Sequence, residues 1–309
     1  MVKKDNLLYR EKKQNRFKNY LASVFGKTKG DIIFNIVVYV IFIGFLFLCI
    51  FPFIYVLVDS LILVDTTGEV NRTYFSLDAY LLVFQSDSLF SSLMFSVLIT
   101  IVSTFLSLVI TVLAAYPLTK KGLKGRKIIL LFVIFAMLFS GGLIPYYLLI
   151  DQLGLVGNPL VYIVVGLVSP YNIIIVKNFI SSLPEELMES AKVDGAGELR
   201  TLFKIVLPLS GPIIATVALW VAVAKWNDWA TTLYYMGDQN KGLWMFQYYL
   251  QEILKTATND SPTFDPSVVL LAKNVKNSAV IISIIPIILV YPFIQKYFVK
   301  GVLLGSVKG

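Results

Sequence analysis

Apolar residues in this chain fall in long unbroken blocks, not at the 3.6-residue period of a half-buried helix or the two-residue period of a half-buried strand. The blocks run at roughly 32–58, 89–117, 128–150, 159–180, 211–234 and 277–298. Crossing a hydrocarbon core about 30 Å thick takes roughly 20 helical residues, and each block supplies that many. None alternates apolar with polar residues, so a barrel of membrane strands is excluded. The pattern predicts an all-α, polytopic membrane protein with six transmembrane helices. The polar stretch 1–31 is too long to lead a cleaved signal peptide, and the first block reads as a retained span. Residues 1–31 then form a basic N-terminal segment, 32–298 the membrane domain, and 299–309 a short tail.

Composition strengthens this reading: 57% of residues are apolar and only 15% charged, against nearer a half and a quarter in globular domains. Histidine is absent and Cys49 is the single cysteine. That removes Ser-His and Cys-His catalysis, histidine-ligated metals, and disulfides within the chain. The net charge of +8 is distributed by topology. Twenty-one of the 27 lysines and arginines lie in the N-terminus, the 118–127 loop, the 177–212 segment and the C-terminal end from Lys296 on. The positive-inside bias places all four in the cytoplasm, with both termini inside a plasma membrane. The basic balance therefore marks orientation, and no nucleic-acid partner is implied.

One inner connection is unlike the others. Residues 183–210 are polar and helix-forming, yet lie between two apolar blocks. Pro184 suits the first position of a helix, with Glu185 and Glu186 favoured by the dipole of its first turn. Leu187, Met188 and Ala191 share a face, and Asp194-Gly195 is a turn pair in which Asp194 also suits capping of the next helix. Leu199, Leu202, Phe203 and Val206 then form an apolar stripe, before Pro208 and Gly211-Pro212 break the chain. Such a helix–turn–helix either rests on lipid headgroups or docks into a groove of a soluble partner.

The stretch ESAKVDGAGELRTLFKIVLPLSGP resembles the "EAA" coupling loop of binding-protein-dependent ABC importer permeases. Glu189, Ala191, Asp194, Gly195, Ala196 and the IVLP at 205–208 match, with Ser190 replacing the middle alanine. AYPLTKKGLKGRK (115–127), FSGGLIPYYLL (139–149), KWNDW (225–229) and the ending YPFIQKYFVKGVLLGSVKG (291–309) are similar to the carbohydrate branch, and most to permeases for oligosaccharides or polysaccharide fragments. The resemblance implies a type I importer bundle that forms half of a translocation pathway. It also implies a second homologous permease in a heterodimer, two cytoplasmic ATPase subunits and an extracellular solute-binding protein. ATP and magnesium would sit on the ATPases, with no cofactor on this chain. Glu189 would meet a basic group of the ATPase, Gly195 would make the tight turn, and the apolar residues around Leu187, Leu202 and Phe203 would seat the loop, which Pro208 of the IVLP run closes.

Phe25-Gly26-Lys27-Thr28 contains the G-K-T of a phosphate loop, but Leu21 stands where the first glycine belongs, so no nucleotide site is expected. For the cargo pathway, the candidates are Tyr171, Asn172, Trp220, Trp226, Asn227, Asp228 and Trp229, since sugar sites pair aromatic faces with amide and carboxyl groups. Lys225 and Asp228 are also ionisable groups near a span, which usually face a cavity or partner. Tyr146, Tyr147, Tyr234 and Tyr235 read as an interfacial aromatic belt. Residues 243–256 form an outer helix with one apolar face, resting on the bundle or meeting the binding protein. The rival readings are a permease for another solute, or a secondary transporter, which would need ion relays or paired broken helices in repeated halves.

Overall fold

The structure, a computed structural model, describes residues 28–65, 72–256 and 266–305. Its contacts separate Met1–Asp59 from Ser60–Gly309. The N-terminal segment 1–27 and the last residues, 306–309, lie outside the described residues.

The first unit holds most of helix α1 (Lys29–Leu61). Its start is a reciprocal cap. The Asp31 amide donates to Thr28 Oγ1 at 3.1 Å, and the Thr28 amide donates to the Asp31 carboxylate at 3.2 Å. The threonine of the G-K-T triplet thus serves a helix end.

The second unit opens with an antiparallel hairpin, β1 (Ile62–Asp65) and β2 (Arg72–Phe75), with Ile62 opposite Phe75. Helix α2 (Asp78–Gln85) leads into α3 (Asp87–Ala115), the spine of the bundle. Ser92, Ser96, Ser103, Ser107 and Thr111 are all buried along one face of α3. Spacings of four and seven residues put these small side chains on a single stripe, the kind of face on which neighbouring helices approach closely. Three apolar clusters follow α3 along its length. Leu89 and Leu93 join Trp226, Phe246 and Ala279; Ile99 joins Tyr162, Tyr235 and Met245; Val112 and Ala115 join Ile180, Leu202 and Val217.

The remaining helices are α4 (Arg126–Leu138), α5 (Leu143–Gln152), α6 (Pro170–Ser181), α7 (Glu185–Val193), α8 (Gly211–Trp226), α9 (Ala230–Tyr235), α10 (Phe246–Thr256) and α11 (Pro266–Gly305). Six transmembrane helices are expected from the sequence, and the helices themselves account for fewer. Among the described residues, three helical stretches are long and apolar enough to cross a membrane uninterrupted: Gly30–Leu61, Asp87–Thr119 and Lys273–Pro292. Two bent pairs raise the number to at most five. α4 and α5 meet at 113° through Gly142, whose φ of 84° only glycine adopts readily. Glu198–Leu209 and α8 meet at 79°, just before the Gly211-Pro212 pair. The block at 159–180 is not one helix. A short turn, Val161–Val164, is separated from α6 by a non-helical break that includes Gly166 at φ 71°. The fifth block is likewise interrupted between Trp226 and Ala230. α10 lays Phe246 and Leu250 into the core, so its apolar face packs on the bundle.

Candidate functional site

The segment between α6 and α8 folds as two helical arms joined by a tight turn. α7 begins directly after Pro184, which sits at the cap position, one residue earlier than expected. Its end is closed by Gly195 at φ 73°: the Gly195 amide donates to Lys192 O at 3.0 Å, and the Ala196 amide to Ala191 O at 2.9 Å. Asp194 does not cap the next helix. The flanking position of that helix is Gly197, because the turn takes up Gly195 and Ala196 first. The second arm begins as Glu198–Thr201 and widens to a π turn over Leu202–Val206. Pro208 follows after Leu207, and it has no amide hydrogen to continue the regular ladder.

The expected stripe on this arm splits. Leu202 and Val206 are buried with Ile180 and Val217, whereas Leu199 and Phe203 are 68% and 56% exposed. Ala191 is buried and roots α7. Val193 is 87% exposed beside the turn, and Leu187 and Glu189 are also exposed. The hairpin thus anchors one face in the bundle and presents an apolar knob on the other.

A clasp that residue patterns did not reveal holds both arms. Tyr116 Oη donates to Glu198 Oε2 at 2.6 Å, and Lys120 Nζ lies 2.6 Å from the same oxygen and 4.5 Å from the Tyr116 ring centre. Lys121 pairs with Glu185 on the other arm at 2.7 Å. The Lys121 hydrogen bond and charge hold the Glu185 carboxyl below its ordinary value. The only sequence signal was that a basic loop, 118–127, and acidic helix starts were expected on the same side of the membrane.

At the breaks in the fourth and fifth blocks lies an open cavity of about 660 Å³. Of the seven pathway candidates, Tyr171, Asn172, Trp220 and Asp228 line it. Trp226 instead turns into the core, and its indole nitrogen donates to Ser283 O at 2.9 Å. Asn227 is exposed and bonds back to Val223 O, and Trp229 is absent from the wall. The reason is helical: α8 places Lys225 on the cavity side, so its neighbour one residue on lies about 100° away. Tyr146, Tyr234 and Tyr235, expected in an interfacial belt, are wall residues, and Tyr147 stacks on Tyr235 with ring centres 5.7 Å apart. A second open cavity, of about 640 Å³, shares Tyr146, Val165 and Gly166 with the first and is walled by the α4–α5 bend.

Polar groups fix this wall. Lys225 is buried, donating to Tyr162 O at 2.8 Å and to Val165 O. Asp228 accepts from the Thr231 amide at 3.0 Å and its hydroxyl at 2.7 Å, capping α9. Tyr162 Oη donates to Leu243 O at 2.8 Å. Among the described residues, no cluster of acidic or cysteine side chains could hold a metal ion.

Known proteins place this architecture. Residues 107–304 match the family described as binding-protein-dependent transport system inner membrane component. The polygalacturonan/rhamnogalacturonan transport system permease protein YtcP of Bacillus subtilis is 39% identical over 90% of this chain and 99% of its own length. Protein LplC of the same organism is 42% identical over 84% of this chain and 90% of its own. A crystal structure of a bacterial ABC transporter involved in the import of the acidic polysaccharide alginate has a chain with a TM-score of 0.79 and 28% identity. That match covers 88% of this chain and 99% of the other. The family match and these full-length likenesses show that the chain belongs to the binding-protein-dependent ABC transporter permeases, as a multi-pass membrane transport subunit and not an enzyme.

Proposed function

We propose that this chain forms half of the pathway by which an oligosaccharide, delivered by an extracellular binding protein, enters the cell. The carbohydrate names of its relatives support the cargo class, as does an aromatic cavity wall edged with amide, hydroxyl and carboxylate groups. The other half comes from a second, homologous permease. Two cytoplasmic ATPase subunits bind ATP and magnesium and supply the energy. Both termini face the cytoplasm, and the fourth block crosses the membrane as a broken element, giving six crossings.

The observation that carries this reading is the exposed knob of Val193, Leu199 and Phe203 on a hairpin whose other face is rooted in the bundle. Apolar groups on a rigid polar hairpin fit a groove on a partner. A displacement of the hairpin is passed to α8 through the 79° joint and to α3 through the Tyr116–Glu198 clasp. Glu189 makes no ion pair among the described residues and is available to a basic group on the ATPase. Coupling of this kind requires the ATPase to bind the hairpin differently in its open and closed states.

The test replaces Val193 and Leu199 together by aspartate in the assembled importer. Uptake and co-purification of the ATPase subunits should both be lost, while the two permeases remain associated. Retention of uptake and of the bound ATPases would falsify the docking role. Uptake driven by an ion gradient without an ATPase would instead favour a secondary transporter.

A further inference from the structure

Lys225 and Asp228 sit on the cavity wall with hydrogen-bonding capacity to spare. An ammonium group has three N–H donors. Two of them serve Tyr162 O and Val165 O. In an unbroken helix those carbonyls would receive the amides of Gly166 and Ser169, four residues on. Gly166, at φ 71°, turns the chain away instead, and Lys225 takes the place of both amides. The third donor is left. Asp228 Oδ2 lies 4.0 Å from Lys225 Nζ, too far for a direct hydrogen bond. Each Asp228 oxygen accepts one bond from Thr231 and keeps a lone pair. Tyr171 and Trp220, with ring centres 5.9 Å apart, stand on the same wall and are each at least 40% exposed.

We infer that Lys225 and Asp228 together read a hydroxyl of an uncharged sugar unit stacked on this aromatic wall, and that they disfavour a carboxylate there. The inference rests on the oligosaccharide reading above and adds what part of the cargo this chain recognises. A hydroxyl is donor and acceptor at once, so one oxygen seated between the ammonium and the carboxylate satisfies both. A carboxylate only accepts, and it brings a second negative charge beside Asp228. Lys225 is also a positioning residue for the wall, because it holds the break that keeps Gly166 and Ser169 out of a continuous helix.

The experiment uses the complete purified importer without added binding protein. Tryptophan fluorescence is followed while raffinose, a neutral trisaccharide, or trigalacturonate, its acidic counterpart in length, is titrated in. Raffinose should quench saturably, and Trp220→Phe should remove that signal. Asp228→Asn keeps the shape of the side chain and an acceptor for Thr231; it should weaken raffinose about tenfold and tighten trigalacturonate. Size-exclusion elution of the assembled complex checks that the variant folds, and the preference of the wild type needs no variant at all. Absence of saturable raffinose binding, equal binding of the two sugars by wild type, or equal weakening of both by Asp228→Asn overturns the inference. The oligosaccharide reading fails separately, if the wild-type importer supplied with its binding protein takes up no oligosaccharide.

Discussion

The two functional regions invert the usual distribution of polarity in opposite senses. The hairpin at 183–210 puts large apolar groups on a polar surface, with Val193 almost fully exposed. The cavity at the breaks puts an ammonium and a carboxylate inside an apolar bundle, with Lys225 only 6% exposed. Each is costly in isolation, and each has the form of a surface awaiting a partner of complementary chemistry. The supports differ accordingly. The hairpin is held by ordinary core packing of Leu202 and Val206 and by a clasp near solvent, so it can move as a unit. The cavity wall is held by buried hydrogen bonds that a single substitution leaves unpaired. The cavity wall should therefore be the rigid region and the hairpin the adjustable one.

The largest expected effect tests the rigid side. Lys225→Met leaves the two carbonyls and Asp228 without their counter-group, and should cost about 3 kcal/mol, read as a lowered unfolding temperature of the complex in detergent. If stability is unchanged, the wall is not held by Lys225. Next in size is Gly195→Val, which forces a β-branched residue to φ 73° and should strain the turn by roughly 1–3 kcal/mol. No atom crowds a side chain at this position, so the strain is in the backbone alone. Uptake should fall at least tenfold, while global unfolding of the permease shifts little.

The clasp comes third. Lys120→Met and Glu198→Gln should each cost about 1 kcal/mol or less, since both groups are partly solvated. The double variant should be no worse than either single one, and a double-mutant cycle measures that coupling. Smallest is Lys121→Ala, which removes a pair exposed on both sides and should leave stability unchanged within error. The sign of its pH dependence is still fixed. The folded chain holds Glu185 below its ordinary value, so any contribution is present at neutral pH and disappears as pH falls through the carboxylate range. A measurable loss on Lys121→Ala at neutral pH would show that the hairpin is clamped more stiffly than this comparison allows.

Much of the hairpin was legible because its determinants are local. Pro184 before a helix, Gly195 after one, and Pro208 and Gly211-Pro212 at the joint each act through the backbone of their own neighbourhood. The Tyr116–Lys120–Glu198 clasp was not legible, since Tyr116 and Glu198 are 82 residues apart and several lysines of the 118–127 loop could have served. The same division runs through the membrane blocks. Glycines 142 and 166 bend or break two of the blocks, but apolar length alone could not distinguish a bend from a straight span.

The sequence by itself determined the membrane class and the place of the hairpin, because hydropathy and turn-formers act through their position along the chain. Only the tertiary structure decided which side of α8 faces the cavity. Trp226, one of three tryptophan candidates, went into the core to reach Ser283 O, and Lys225 took the wall. That choice depends on which carbonyls are orphaned by a break some 60 residues earlier, and no window of sequence contains both ends of such a bond.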